Sequence, residues 1–236
     1  MTYAERGMIL DRDLNWDLLE VALRVAADDS EWSVKRKLLT VALRDRVSEQ
    51  EAQGKTKKCL TRVWINPPGE AREMVNWGRE HAHLAIDRRI MHLGALLATF
   101  PFVGAVMGIT GRSLAIDGQV EPATVRKKVC ALWGDRSSID VGARKAYTTL
   151  LRLGVLTGGG ALPLRRGDVL DANGEIATWL IHALLLTRGT SSVDEAELPA
   201  VPELFWVNVR EPSRTYPWLE RHNEGVRRTV WAPAPR

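Results

Sequence analysis

The chain has 236 residues, 45% hydrophobic and 26% charged, with a net charge of +4. That balance excludes an intrinsically disordered chain, and the length leaves ample apolar material for a core. Two cysteines far apart, Cys59 and Cys130, exclude a disulfide framework and a zinc quartet, and read as small apolar fillers in a reducing, cytoplasmic setting.

The N-terminal stretch MTYAERGMILDRD has no long apolar run before its charges, which reads against a secretory signal. Residues 1–66 form a basic helical segment. Leu14, Leu18, Val21, Ala22 and Val25 recur at helical spacing and predict a helix over Leu14–Ala27. A second helix, Glu31–Val47, is expected to bury Val34, Leu38, Val41 and Ala42, leaving Lys35, Arg36, Lys37, Arg44 and Arg46 outside. Ser48 and Glu51 fit a capping box, S-x-x-E, that would start a third helix, EAQGKTKKCLTRVWI. Lys55, Lys57, Lys58 and Arg62 make that helix strongly basic and form a candidate phosphate patch, while Cys59, Leu60, Val63 and Trp64 face inward. Gly54-Lys55-Thr56 resembles the end of a phosphate-binding loop. Glu49 stands where the first glycine belongs and no strand precedes it, so the backbone cradle for phosphates is missing.

Asn66-Pro67-Pro68-Gly69 ends the first segment. Residues 67–118 form the central, apolar helical segment. Glu70–Leu97 reads as one long helix whose acidic and basic residues balance. Met91–Ile109 carries no Asp, Glu, Lys or Arg, and its length approaches the ~20 residues of a membrane span. Pro101 disfavours helix at Phe100, so the stretch reads instead as two buried helices. His81 and His83 point apart on a helix and make a poor metal pair, whereas His83 and Asp87 are spaced to interact. His92, His182 and His222 are isolated, and no metal or cofactor is expected.

Residues 119–172 form the third segment. Pro122 suits the first turn of a helix, along which Val125, Val129 and Leu132 recur at helical spacing. Gly134 stops it, and Asp135, Ser137 and Ser138 are turn and N-cap types. A second helix follows with Ala143, Ala146, Tyr147, Leu150 and Leu151 on one face. Arg144, Thr148 and Arg152 line up four apart on another, flanked by Lys145 and Thr149. Gly154 suits a left-handed C-cap. Gly158-Gly159-Gly160 turns a short hairpin that ends in Arg165 and Arg166.

Residues 173–236 form the last segment. Asp171-Ala172-Asn173-Gly174 reads as a loop, Glu175–Thr187 as an apolar helix closing the core, Val193–Leu198 as a helical turn, and Leu204–Val209 as a strand. The tail is rich in Trp and Pro and carries Arg227 and Arg228. Nine tryptophans read mainly as core and interface anchors. The fold class is thus mainly α: a helical bundle with an embedded winged-helix-like unit and a short C-terminal β element.

The run Arg144, Ala146-Tyr147-Thr148-Thr149-Leu150-Leu151-Arg152-Leu153-Gly154-Val155-Leu156, then a glycine turn and a basic strand, resembles winged helix-turn-helix domains over 121–170. Placed on a duplex, the helix would reach base edges in the major groove and the arginines would hold phosphates. The layout of a basic N-terminal part ending in TKKCLTRVW, an apolar helical middle, the Leu-Gly-Val-Leu helix end and a later closing helix resembles the BrxA accessory proteins of BREX bacteriophage-exclusion systems. Pro67-Pro68 and the tryptophan-rich tail lie outside that resemblance. It implies an all-helical component of a bacterial antiviral defence complex that binds double-stranded DNA without catalysis of its own. No nucleophile elbow, H-E-x-x-H zinc motif or paired-carboxylate signature opposes this. Two alternatives stand beside it: an adaptor that docks other proteins through the apolar middle and the tail, and a dimeric winged-helix repressor reading a palindrome.

Overall fold

The computed structural model describes residues 8–225 and 228–235, so residues 1–7 of the N-terminal stretch and Arg227 of the tail lie outside the described residues. It is mostly helical, with small sheets. Buried side chains from Leu10 to Trp231 join one hydrophobic cluster that draws on all four segments.

Helix α1 (Trp16–Ala27) starts where the Asn15 side chain accepts the Leu18 N–H at 3.0 Å, a standard use of asparagine at a helix start. Helix α2 (Trp32–Arg44) turns out differently from its predicted register: Leu39 and Leu43 are buried, whereas Val34, Leu38 and Val41 are 42%, 41% and 58% exposed. Both apolar stripes have helical spacing, and the neighbouring elements cover the other one. Helix α3 (Gln50–Leu60) begins at Glu49 without a side-chain cap, so the Ser48–Glu51 box does not form; Gln53 instead donates to the Val47 carbonyl at 2.6 Å. The helix runs directly into a π-turn, Thr61–Ile65.

The long helix expected over 70–97 is two helices. Helix α4 (Arg72–Glu80) ends at His81, and α5 (Arg89–Thr99) starts after Asp87, whose carboxylate accepts the Arg89 N–H at 2.9 Å. Helix α6 (Pro101–Asp117) follows at a bend of 113°, the break that Pro101 predicted. Almost all of α5 and the first half of α6 is buried. Among the described residues no single helix is long and apolar enough to cross a membrane.

In the third segment, strand β1 (Gln119–Val120) precedes α7 (Pro122–Trp133) and α8 (Ser137–Arg152), and strands β2 (Leu156–Gly159) and β3 (Leu162–Arg166) follow as a hairpin. The sheet order is β1-β3-β2, all antiparallel. In α7 it is Trp133 that turns inward and Leu132 that is exposed. Gly134 and Gly154, at φ 98° and 75°, supply the left-handed residues at the two helix exits.

The stretch read as a loop at 171–174 is mostly strand β4 (Leu170–Asn173). It pairs in parallel with β6 (Val207–Pro212), and helix α9 (Gly174–Arg188) crosses between them. The helical turn expected at 193–198 is strand β5 (Val193–Asp194) followed by a 3-10 turn. Of the expected strand 204–209, only the part from Val207 is extended. The tail folds back as a hairpin of β7 (Leu219–Glu224) and β8 (Arg228–Pro233), with β5 on the edge of β8. The β structure is therefore more extensive than a short C-terminal element.

Helix α9 sits at the centre. Trp179 is wholly buried, and its indole donates to the Met74 carbonyl at 2.8 Å. A Cβ at Gly78 or Gly94 would lie 2.8 or 2.2 Å from its ring, so both glycines make room for it. A second buried anchor joins the first two segments. The Trp64 indole donates to His92 Nδ1 at 3.1 Å, and His92 Nε2 lies 3.0 Å from the buried Glu20 carboxylate, which also accepts from Arg88 at 2.6 Å. Because an indole N–H only donates, the proton of His92 sits on Nε2 and points at Glu20. His182 meets the Tyr216 hydroxyl at 2.8 Å. Both histidines, isolated in sequence, thus have hydrogen-bond partners in the fold.

Candidate nucleic-acid interface

The basic residues singled out from the sequence fall into two groups in space. Those of the third segment surround α8. Ala143, Ala146, Tyr147 and Leu150 hold that helix to the core, which leaves Val141, Arg144 and Thr148 as one outward row. Arg144 is exposed, and no carboxylate pairs with it among the described residues.

The adjacent row of α8 is covered over Gly142 and Thr149, while Arg152 at its end stays exposed. The extended chain before α1 lies along it: a Cβ on Gly142 would fall 2.0 Å from Ile9, and Thr149 Oγ1 accepts the Leu14 N–H at 3.0 Å. Leu10 and Leu14 are wholly buried, so this strap is part of the core. Asp13 sits between them and binds two of the predicted site residues at once, Lys145 at 2.7 Å and Arg152 at 2.8 Å. Burial would raise the Asp13 carboxyl, but the Lys145 hydrogen bond and the Arg152 charge outweigh it and hold the group below its usual range. Nothing local in the sequence signals this clamp, since Asp13 and Lys145 are 132 positions apart.

Arg165 and Arg166 diverge, as successive strand residues must. Arg165 lies between Gln119 and Thr157 on the sheet and donates twice to Gln119 Oε1, at 3.2 and 2.9 Å. Arg166 shares the face of the buried Leu164 but is itself exposed at the strand end. Two further cations, Lys127 and Arg136, line a 460 Å³ groove between α7 and the start of α8. Lys127 lies mid-helix in α7 and Arg136 at the start of α8, so no single helical spacing groups them. Arg126, in the same groove, is bound to Asp140 at 2.9 Å.

The four basic residues of α3 and its π-turn do not make one patch. Lys55 lines a 250 Å³ cleft with Ser137, Ser138 and Val141, which brings it beside the first turn of α8, and it pairs with Glu51 one turn away. Lys57 faces α2, where it donates to Thr40 Oγ1 at 2.7 Å. Lys58 is exposed. Arg62 turns toward the bend between α5 and α6 and donates to the Thr99 carbonyl at 2.7 Å. Residues one or two apart on a helix leave in different directions, and the π-turn interrupts the register before Arg62.

Among the described residues no group of three or more His, Cys, Asp or Glu side chains is placed to hold a metal ion. No protein-family model, curated protein or solved structure matches the chain.

Proposed function

We propose that residues 119–166 act as a winged helix-turn-helix unit and that the protein binds double-stranded DNA without catalysing a reaction. The carrying observation is the outward row of α8, exposed Val141 and Arg144 with half-buried Thr148, bordered by Lys55, Lys127 and Arg136. It lies in a unit whose order is strand, helix, helix, hairpin, with the β1-β3-β2 sheet order. In this reading α8 enters the major groove, where an arginine reads guanine edges and a threonine methyl or hydroxyl meets its neighbours. The β2–β3 hairpin is the wing, and Arg166 at its strand end reaches an adjoining phosphate backbone, while Arg165 stays with Gln119 on the other face.

Lys145 and Arg152 have a different role from the one their spacing suggests. Held by Asp13, they present a fixed and partly neutralised edge to the row beside them. Of the two surfaces the adaptor alternative draws on, Met91–Ile109 belongs to the core, as do Tyr216 and Trp231 of the tail, whereas Pro217, Pro233 and Pro235 stay exposed beside half-buried Trp218. A place in a BREX-type defence complex accords with a non-catalytic duplex binder, and rests on the layout resemblance alone.

The test is a mobility-shift assay on random-sequence duplex with Arg144→Glu and Arg166→Glu, singly and together. Each single change is expected to weaken binding about tenfold, the effect of losing a base or phosphate contact, and the double change to abolish it. Retention of full affinity in the double variant would remove the proposal.

A further inference from the structure

Arg62 is the predicted DNA contact that the fold takes elsewhere. The residue lines a cavity of about 580 Å³ with Thr99, Pro101, Glu70, Leu186 and Gly189. Nε is committed to the Thr99 carbonyl at 2.7 Å, and the guanidinium carbon stands 5.3 Å from the centre of the Phe100 ring. These two contacts fix its plane. Neither Nη atom has a partner among the described residues, and no carboxylate pairs with the charge. Arg62 is half-buried, and burial pulls its pKa below the usual guanidinium value.

Two backbone irregularities meet here. Arg62 stands in the π-turn that interrupts the end of α3, a feature that occurs often at functional sites. Thr99 ends α5 at the 113° bend, and the bend leaves its carbonyl for Arg62. A cap for α5 needs only the Nε hydrogen bond. The free Nη edge, on a residue that lines a cavity of small-molecule size, has the fork geometry that matches carboxylate and phosphate oxygens. Glu70 lies on the exposed rim, where it favours a ligand with a hydroxyl or amine beside its anionic group.

We infer that this cavity binds a small molecule bearing an oxyanion, a carboxylate or a phosphate monoester, on the Nη edge of Arg62. The site is independent of the proposed DNA surface.

Calorimetric titration of the full chain with inorganic phosphate, glycerol 3-phosphate and succinate tests it and separates the phosphate from the carboxylate source. At least one probe is expected to bind saturably below about 10 mM, the weak end of small-ligand affinity. Arg62→Gln, whose amide still reaches the Thr99 carbonyl, is expected to bind it at least tenfold more weakly while keeping wild-type duplex affinity. In the wild-type chain the same probe is expected to slow phenylglyoxal modification of Arg62, mapped by mass spectrometry. No saturable binding by any of the three, equal binding by Arg62→Gln, or binding without protection of Arg62 would each overturn the inference. Loss of duplex binding in Arg144→Glu with anion binding intact would separate this site from the DNA reading.

Discussion

Asp13 shows how one side chain sets the character of a surface. It is nearly buried and holds two cations that a helical wheel alone would place on a free basic face. In Asp13→Asn both charge-assisted bonds weaken, and the expected cost is about 1–3 kcal/mol of stability, the range for hydrogen bonds to charged groups. The same change removes one negative charge and frees Lys145 and Arg152 toward solvent. Duplex binding is therefore expected to tighten and to depend more steeply on salt. Urea melts and anisotropy titrations of the one variant check both halves. The buried histidines give a second residue-scale prediction. Burial holds His92 low against the opposing pull of Glu20, and holds His182 at about 4. Unfolded, each takes a proton near pH 6.5. A group whose folded pKa is depressed and whose charged form is the protonated one favours the native state fully above the unfolded value. That contribution is lost as the pH falls from about 6.5 toward the folded value. Asp13 and Glu20, also depressed, add further loss below their unfolded values. Unfolding midpoints in urea are expected to be flat above pH 7 and to fall steadily below pH 6.5, and His182→Gln is expected to flatten part of that slope. A midpoint that rises on acidification contradicts this account.

At the scale of elements, helix α2 marks where sequence reading runs out. Val34, Leu38 and Val41 have the same spacing as a buried stripe, but Leu39 and Leu43 are the residues inside. Local periodicity says that a helix forms and not which of two stripes its neighbours cover. The break between α4 and α5 was legible in principle: Asp87 is a helix-start residue type two positions before Arg89, but the balanced charges around it suggested continuity. Strand β4 was not legible, because Asp171-Ala172-Asn173-Gly174 has turn composition and is made a strand by β6, 37 residues later. The Pro101 break, the Gly134 and Gly154 helix exits and the glycine hairpin were all read correctly, since each depends on a residue whose own backbone preference decides the outcome. The register of α2 is testable directly. Leu39→Ala is expected to cost about 2–5 kcal/mol as a core truncation, and Val41→Lys to stay within about 0.5 kcal/mol as a surface change. The reverse order would restore the stripe that periodicity favoured.

For the whole molecule, the candidate site was legible as a unit and not as a set of contacts. The helix, turn, helix and hairpin of 121–170 followed from Pro122, Gly134, Gly154 and the three glycines, and Arg144 faces outward as its spacing required. What the sequence did not carry was long-range: the strap over Gly142, the clamp at Asp13, and the turn of Arg62 toward the α5–α6 bend. Each depends on segments far apart in the chain. The net charge of +4 is too small to attract a polyanion by itself, so the proposed duplex binding rests on the local arrangement around α8. The most direct test is fluorescence-anisotropy titration of the full chain with two unrelated labelled duplexes at two salt concentrations, alongside Arg144→Glu. The account predicts that both duplexes bind, that affinity falls steeply as salt rises because phosphate contacts release counterions, and that the substitution costs about tenfold or more. Absence of binding at low salt, or binding that neither salt nor Arg144→Glu changes, would contradict it.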